Sequence, residues 1–126
     1  MPEVKMNKIE SRERRVANIH TDAFKPWLSE GGKPTGESLI QLNDSHPDGV
    51  GFHIYKMEPG TSSRPHTHEG DEEFFMISGE LIDNDGTVYR TGDLVWLKRG
   101  TQHSSYTKDG CVIAVYIPKA ETMLDK

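Results

Sequence analysis

Turn chemistry punctuates this chain of 126 residues at short, even intervals, which leaves room for little except β-structure. Asn43-Asp44-Ser45 with Pro47-Asp48-Gly49, Pro59-Gly60, Gly79, Asn84-Asp85-Gly86, Thr91-Gly92-Asp93, Lys98-Arg99-Gly100 and Lys108-Asp109-Gly110 all read as turns or interruptions. Between them lie short strand-like runs at residues 38–42, 52–57, 72–77, 80–83, 87–90, 94–97, 103–107 and 111–117. The Asn-Asp-Gly step between two alternating runs is a hairpin signal. No segment keeps a 3.6-residue apolar period for long, so helices are not expected to carry the fold. The expectation is a single antiparallel all-β domain that closes on itself to protect its strand edges.

The ends of the chain read differently. Residues 1–20 are polar and mixed in charge, and suit a frayed arm or a strand that pairs only in an oligomer. Residues 24–36, with Pro26, Gly31, Gly32, Pro34 and Gly36, read as a loop with one aromatic anchor, Trp27. The resulting division is an N-terminal arm and loop over 1–36, a barrel over 37–118, and a C-terminal tail over 119–126.

Charge and cysteine content narrow the partners. Twenty acids against 15 bases give a net charge of −5, which disfavours nucleic acid, since phosphate neutralisation needs a clustered basic surface. Arg12, Arg14 and Arg15 are interrupted by Glu13 and read as a solvated terminal segment. Cys111 is the only cysteine, so neither an intrachain disulfide nor an all-cysteine zinc site can form, and its apolar run suggests a buried small residue. No apolar stretch approaches the ~20 residues of a membrane helix, and no signal-peptide core is present, so no membrane partner and a cytoplasmic location are expected.

Three of the six histidines stand apart by their spacing. His66 and His68 are two residues apart, so on an extended segment both imidazoles face the same way. Glu69-Gly70-Asp71 can turn the chain back before Glu72, which shares its face with Phe74 and Met76. His103 arrives 35 residues after His68, once a hairpin and a strand have returned the chain. Imidazoles with one carboxylate suit a divalent first-row metal. A cluster of polar residues in a solvated loop has the same local look, and spacing alone leaves both readings open.

The wider pattern resembles the cupin superfamily. Gly60, five residues, His66-Thr67-His68, three residues, Glu72, six residues and Gly79 match every signature position of the first cupin motif. Gly92, five residues, Lys98, Arg99, Gly100, two residues, His103, three residues and Thr107 resemble the second. Lys98 stands where cupins usually have proline and Thr107 where they often have asparagine; neither position is a metal ligand. The resemblance implies a double-stranded β-helix, the cupin jelly-roll barrel. It also implies one divalent metal held by His66, His68, Glu72 and His103: Fe2+ or Zn2+ first, Mn2+ or Ni2+ after them. Pro26-Trp27, residues 70–74, residues 79–83 and residues 108–111 look more narrowly like the cupin domain of ChrR-type anti-sigma factors, a group similar to small dioxygenases acting on β-diketones.

For the pocket, alternation places His53, Tyr55 and Met57 inward, with Lys56 and Glu58 outward. Phe74, Met76 and Trp96 have the alternation of barrel interior, and Ser105 shares the face of His103. His20 and His46 sit in polar loops and are expected to be solvated. Arg64 reads first as a surface arginine, with an anion-greeting role as the alternative. No second carboxylate is placed by the sequence to act as a general base.

The resemblance implies a non-haem metal-dependent dioxygenase for a small hydroxy-ketone or diketone-like substrate that chelates the metal. The alternatives are a small-ligand sensor of the ChrR type without turnover and a Zn- or Ni-dependent isomerase or lyase. ChrR-type proteins carry an N-terminal zinc helical domain that holds the sigma factor. Residues 1–36 contain no cysteine and are too few for it, so sigma-factor sequestration is not expected. A homodimer using the N-terminal segment is the implied assembly.

Overall fold

One long strand organises the molecule. Strand β6, Glu72–Asp83, runs for 12 residues through the point where two runs separated by Gly79 were expected. In this computed structural model, which describes residues 3–125, it belongs to two sheet regions in turn. Met1, Pro2 and Lys126, the outermost residues of the expected arm and tail, lie outside the described residues. Before Gly79, β6 pairs with β8 (Leu94–Leu97) on one edge and β11 (Cys111–Ile117) on the other. After it, β6 pairs with β7 (Val88–Arg90) through the Asn84-Asp85-Gly86 hairpin, and with β10 (Ser105–Thr107).

Gly79 permits this crossing. Its φ is +82°, and a Cβ there would lie 2.2 Å from the Gly110 carbonyl oxygen, so no other residue fits. The β6–β11 register slips just before it, pairing Val112 with Ser78 but Ile113 with Met76. The extra residue changes which side chains face inward. Glu72, Phe74 and Met76 are buried ahead of the slip, Leu81 and Asp83 after it.

The remaining strands complete a curled antiparallel half-barrel. Strands β1 (Lys25–Leu28), β2 (Pro34–Ile40) and β3 (Gly51–Met57) extend the sheet beyond β11. Short β4 (Thr61–Ser62) joins β10. Strands β5 (His66–Thr67), β9 (Gln102–His103) and β12 (Thr122–Met123) form a small separate sheet in the order β12-β5-β9.

One expectation is corrected near the N-terminus. Residues 24–36, read as a loop, carry β1 and the start of β2, because Pro26 sits on an edge strand where its missing N–H costs no ladder bond. Trp27 does serve as an anchor, its ring packing where a Cβ on Gly49 would otherwise stand. The tail contributes β12, which lies beside the first histidine pair.

The core joins Met57, Phe74, Met76, Leu81, Tyr89, Cys111, Ile113, Val115 and Ile117. Cys111 is buried, and that burial pushes its thiol pKa up, as befits a packing residue. Trp96 is a correction: it is 57% exposed. It pairs directly with outward Glu73, and partners directly opposite on antiparallel strands share a face, so Val95 and Leu97 point inward instead.

Candidate metal centre

Strand pairing brings the two histidine segments together. His66 on β5 lies directly opposite His103 on β9. The ladder continues past the strand end, with the His68 N–H donating to the Thr101 carbonyl at 2.9 Å and the Gly100 N–H to the His68 carbonyl at 2.8 Å. The two flanking loops are tied by Asp71, whose carboxylate accepts from the Arg99 backbone N–H at 2.7 Å and from the Trp96 indole at 3.3 Å. Glu72 opens β6 opposite Leu97. The three imidazole centroids stand 4.7 to 5.1 Å apart.

Each ring has its Nδ1 committed. His66 Nδ1 donates to the Arg64 carbonyl at 2.7 Å. His68 Nδ1 meets Thr101 Oγ1 at 2.9 Å; that hydroxyl gives its own proton to the Lys98 carbonyl at 2.7 Å, so it accepts from the histidine. His103 Nδ1 donates to Asp83 Oδ2 at 3.1 Å. While the rings are neutral, every Nε2 therefore carries a lone pair, the arrangement that fixes metal-binding histidines elsewhere.

The Nε2 atoms converge. The ligand atoms of His66, His68 and His103 all lie within 4.8 Å of one another. His68 Nε2, on a ring only 1% exposed, has no hydrogen-bond partner among the described residues. Glu72 Oε1 lies 3.1 Å from it, and that oxygen also lies 3.9 Å from His103 Nε2. A buried, unpartnered nitrogen aimed at two other lone pairs and a carboxylate is costly unless a cation fills the space. The residues present fit a divalent metal held by imidazole and carboxylate.

Two groups at this centre escaped sequence reasoning. Asp83 accepts from His103, from Ser105 Oγ at 2.6 Å and from Tyr89 Oη at 2.7 Å. Burial alone would raise its pKa; the three donors outweigh that and hold the carboxyl below its usual range. The inward alternation shared with Leu81 was the available signal, obscured by the parity change at Gly79. Glu121 is the second. Its Oε2 lies 2.9 Å from His66 Nε2 and 3.6 Å from His68 Nε2. Burial disfavours charge on His66, yet its pKa is raised by Glu121, by the Arg64 carbonyl and by Glu72. The Glu121 pKa is correspondingly lowered despite burial, through its bond to His66 and the charges of the other rings. No motif marks Glu121, which is why the sequence places no second carboxylate here, although the structure brings one beside the histidines.

Beside the histidines, a cavity of about 370 Å³ opens along the inner face of the sheet. His53, Tyr55, Phe74 and Ser105 line it, with Leu81, Ile113, Val115 and Ile117 completing an apolar wall. Met76 is fully buried behind that wall and is absent from the lining. Tyr55 donates its hydroxyl to Glu37, and burial followed by that carboxylate pushes its pKa far up, so it is a fixed neutral phenol. His53 gives its Nδ1 proton to the Gly51 carbonyl at 3.1 Å, and burial lowers its pKa. Ser105 lines the cavity with its proton already given to Asp83. Arg64 also borders the cavity, with its guanidinium paired to Asp125 at 2.7 Å.

Residues 15–120 match the model of the ChrR cupin-like domain family. The chain belongs to that family. This cupin matches no curated protein. Among solved structures, an acetylacetone dioxygenase from Acinetobacter johnsonii aligns with a TM-score of 0.72 at 15% identity, covering 100% of this chain and 86% of that one. The polyketide cyclase RemF from Streptomyces resistomycificus gives 0.65 at 18% identity, covering 90% and 87%. KdgF from a Halomonas species gives 0.61 at 17%, covering 82% and 92%. At such identities the likeness is one of fold, shared by proteins of different activities. No helix among the described residues is long and apolar enough to cross a membrane.

Proposed function

We propose that this cupin is a metal-dependent dioxygenase acting on a small hydroxy-ketone or diketone-like substrate, with His66, His68, Glu72 and His103 holding one divalent ion, Fe2+ before Zn2+. The observation that carries the reading is the convergence of three Nε2 lone pairs at one end of an apolar cavity, each ring oriented through its Nδ1. A redox-active ion bound there would supply Lewis acidity and activation of O₂.

The protein's share is orientation and exclusion of water. Phe74, Leu81, Ile113 and Val115 offer an apolar surface for the carbon skeleton of a small ketone. His53 Nε2, left as an acceptor by its Nδ1 bond, is a polar group on the cavity lining that can take a proton from a substrate hydroxyl or enol. Its lowered pKa keeps the ring neutral and able to accept at neutral pH. Tyr55 and Ser105 have their protons committed, so they shape the wall without donating to a ligand.

The test is oxygen uptake by the Fe2+-loaded protein with a panel of β-diketones and α-hydroxy-ketones. Consumption of O₂ matched to loss of substrate, abolished by His103→Ala, is expected. Tightly held zinc with no uptake across the panel would overturn turnover and leave a ligand-binding role.

We also propose that two chains pair through the outer face of the sheet. Phe52, Phe75, Leu94, Trp96 and Tyr116 are exposed there on adjoining strands, and Val4, Met6, Ile9 and Val16 of the N-terminal arm are exposed as well. Contiguous exposed apolar area of this kind marks an interface. Sedimentation should report a dimer that Leu94→Lys with Trp96→Lys converts to monomer; a wild-type monomer sinks the pairing.

A further inference from the structure

Five lone-pair donors meet at this centre, one more than the two cupin motifs account for. The fifth is Glu121. Its Oε2 stands 2.9 Å from His66 Nε2, and the ligand atoms of His68, Glu72 and Glu121 lie within 4.8 Å of one another. His68 belongs to this group and to the three-histidine group, so the two sets share one corner. With the Nδ1 protons spent on Arg64, Thr101 and Asp83, neutral rings have no hydrogen to offer either carboxylate. Arg64, on the cavity lining, is bound to Asp125. Two carboxylates thus face three imidazoles, and a divalent cation balances them where it would leave a net charge of +1 with Glu72 alone.

The backbone is built to bring Glu121 there. Thr122 and Met123 pair with Thr67 and His66, on the edge of β5 opposite the one that β9 occupies. The Leu124 N–H donates to the Pro65 carbonyl at 2.9 Å, and the Arg64–Asp125 pair closes the segment. A two-residue strand locked beside the first histidine makes the approach of Glu121 a consequence of pairing, not of a wandering tail.

We propose that Glu121 is an additional metal ligand, a second carboxylate carried into the site by the C-terminal strand, which a chelating anionic substrate displaces. This deepens the metal-centred reading above and rests on it. A bidentate oxygen ligand such as an enolate matches the carboxylate in charge and donor type, so the two would compete for the same ion. Binding of substrate then requires the Glu121 side chain to swing aside, while β12 keeps it close enough to return.

The experiment uses the full chain, stripped of metal and titrated with Co2+, reading the visible absorption bands and affinity against a chromophoric chelator. His103→Ala tests the histidine cage itself. Glu121→Gln is expected to weaken Co2+ binding about 10–100-fold and to shift the visible bands, while the melting of the metal-free protein confirms that it folds. A residue that only orients His66 would alter affinity without the band shift. In Glu121→Ala, added acetate is expected to restore the wild-type bands. Acetylacetone, as the chelating probe, should bind cobalt-loaded Glu121→Gln more tightly than cobalt-loaded wild type. If His103→Ala loses the metal while Glu121→Gln keeps wild-type affinity and bands, the Glu121 assignment falls alone. If the wild type takes up no Co2+, the cage falls with it.

Discussion

Strand β5 has two neighbours that treat the site differently. On one edge β9 brings His103, and on the other β12 brings Glu121 beside it. The β9 side is rooted in the interior: Asp83, itself 6% exposed, binds His103 and is gripped by Ser105 and Tyr89. The β12 side hangs on two residue pairings, one further backbone bond and an exposed ion pair. Buried networks resist partial loss, since each member left alone is a desolvated polar group. Surface pairs contribute little. The His103 side of the site is therefore expected to be the firmer half, and the Glu121 side the one to open first.

The strongest way to break this contrast is at Gly79, which turns Asp83 inward. Gly79→Ala forces a side chain into φ +82° and against the Gly110 carbonyl, and should cost about 3 kcal/mol in chemical denaturation. Asp83→Ala comes next. It strands the His103 Nδ1–H and the Tyr89 hydroxyl, and is expected to cost about 2–3 kcal/mol and to weaken metal binding about 10–100-fold, read by denaturation and by metal titration. Thr101→Val removes the acceptor for His68 Nδ1 together with the hydroxyl's bond to the exposed Lys98 carbonyl. A loss of about tenfold in metal affinity with near-native stability is expected, and an unchanged affinity would mean that the ring needs no such anchor. The smallest effect belongs to Arg64→Ala, which opens the Asp125 clasp. Melting should stay unchanged while amide exchange at Thr122, Met123 and Leu124 accelerates; equal protection would show that the β5 pairing alone holds the strand.

Much of the fold was legible because turns are local. Asn84-Asp85-Gly86 sets its hairpin through residues in direct succession, and the runs at 52–57, 94–97 and 111–117 became β3, β8 and β11 with at most one residue of difference. Residues 24–36 were misread because Pro26 and the glycines look like loop text, while an edge strand tolerates proline. Alternation alone places Trp96 inward; its facing is set by the register with Glu73, which no local pattern contains. Met76 was expected at the pocket and lies one layer behind it, since alternation tells inside from outside and says nothing of which inner residues border a cavity.

The sequence by itself determined the all-β class and the turn positions, which depend on strands of period two and on turn residues with fixed backbone preferences, both readable over a few neighbours. The set His66, His68, Glu72 and His103 was legible only through the resemblance to the two cupin motifs, and the strands bring those four residues into one place. Only the tertiary structure decided that Asp83 holds His103, that Arg64 faces Asp125 and that Glu121 completes the ring of acceptors. Those contacts join residues 20 to 61 positions apart, and their formation rests on strand registers, a bulge before Gly79 and the docking of β12, which exist only once the chain has closed.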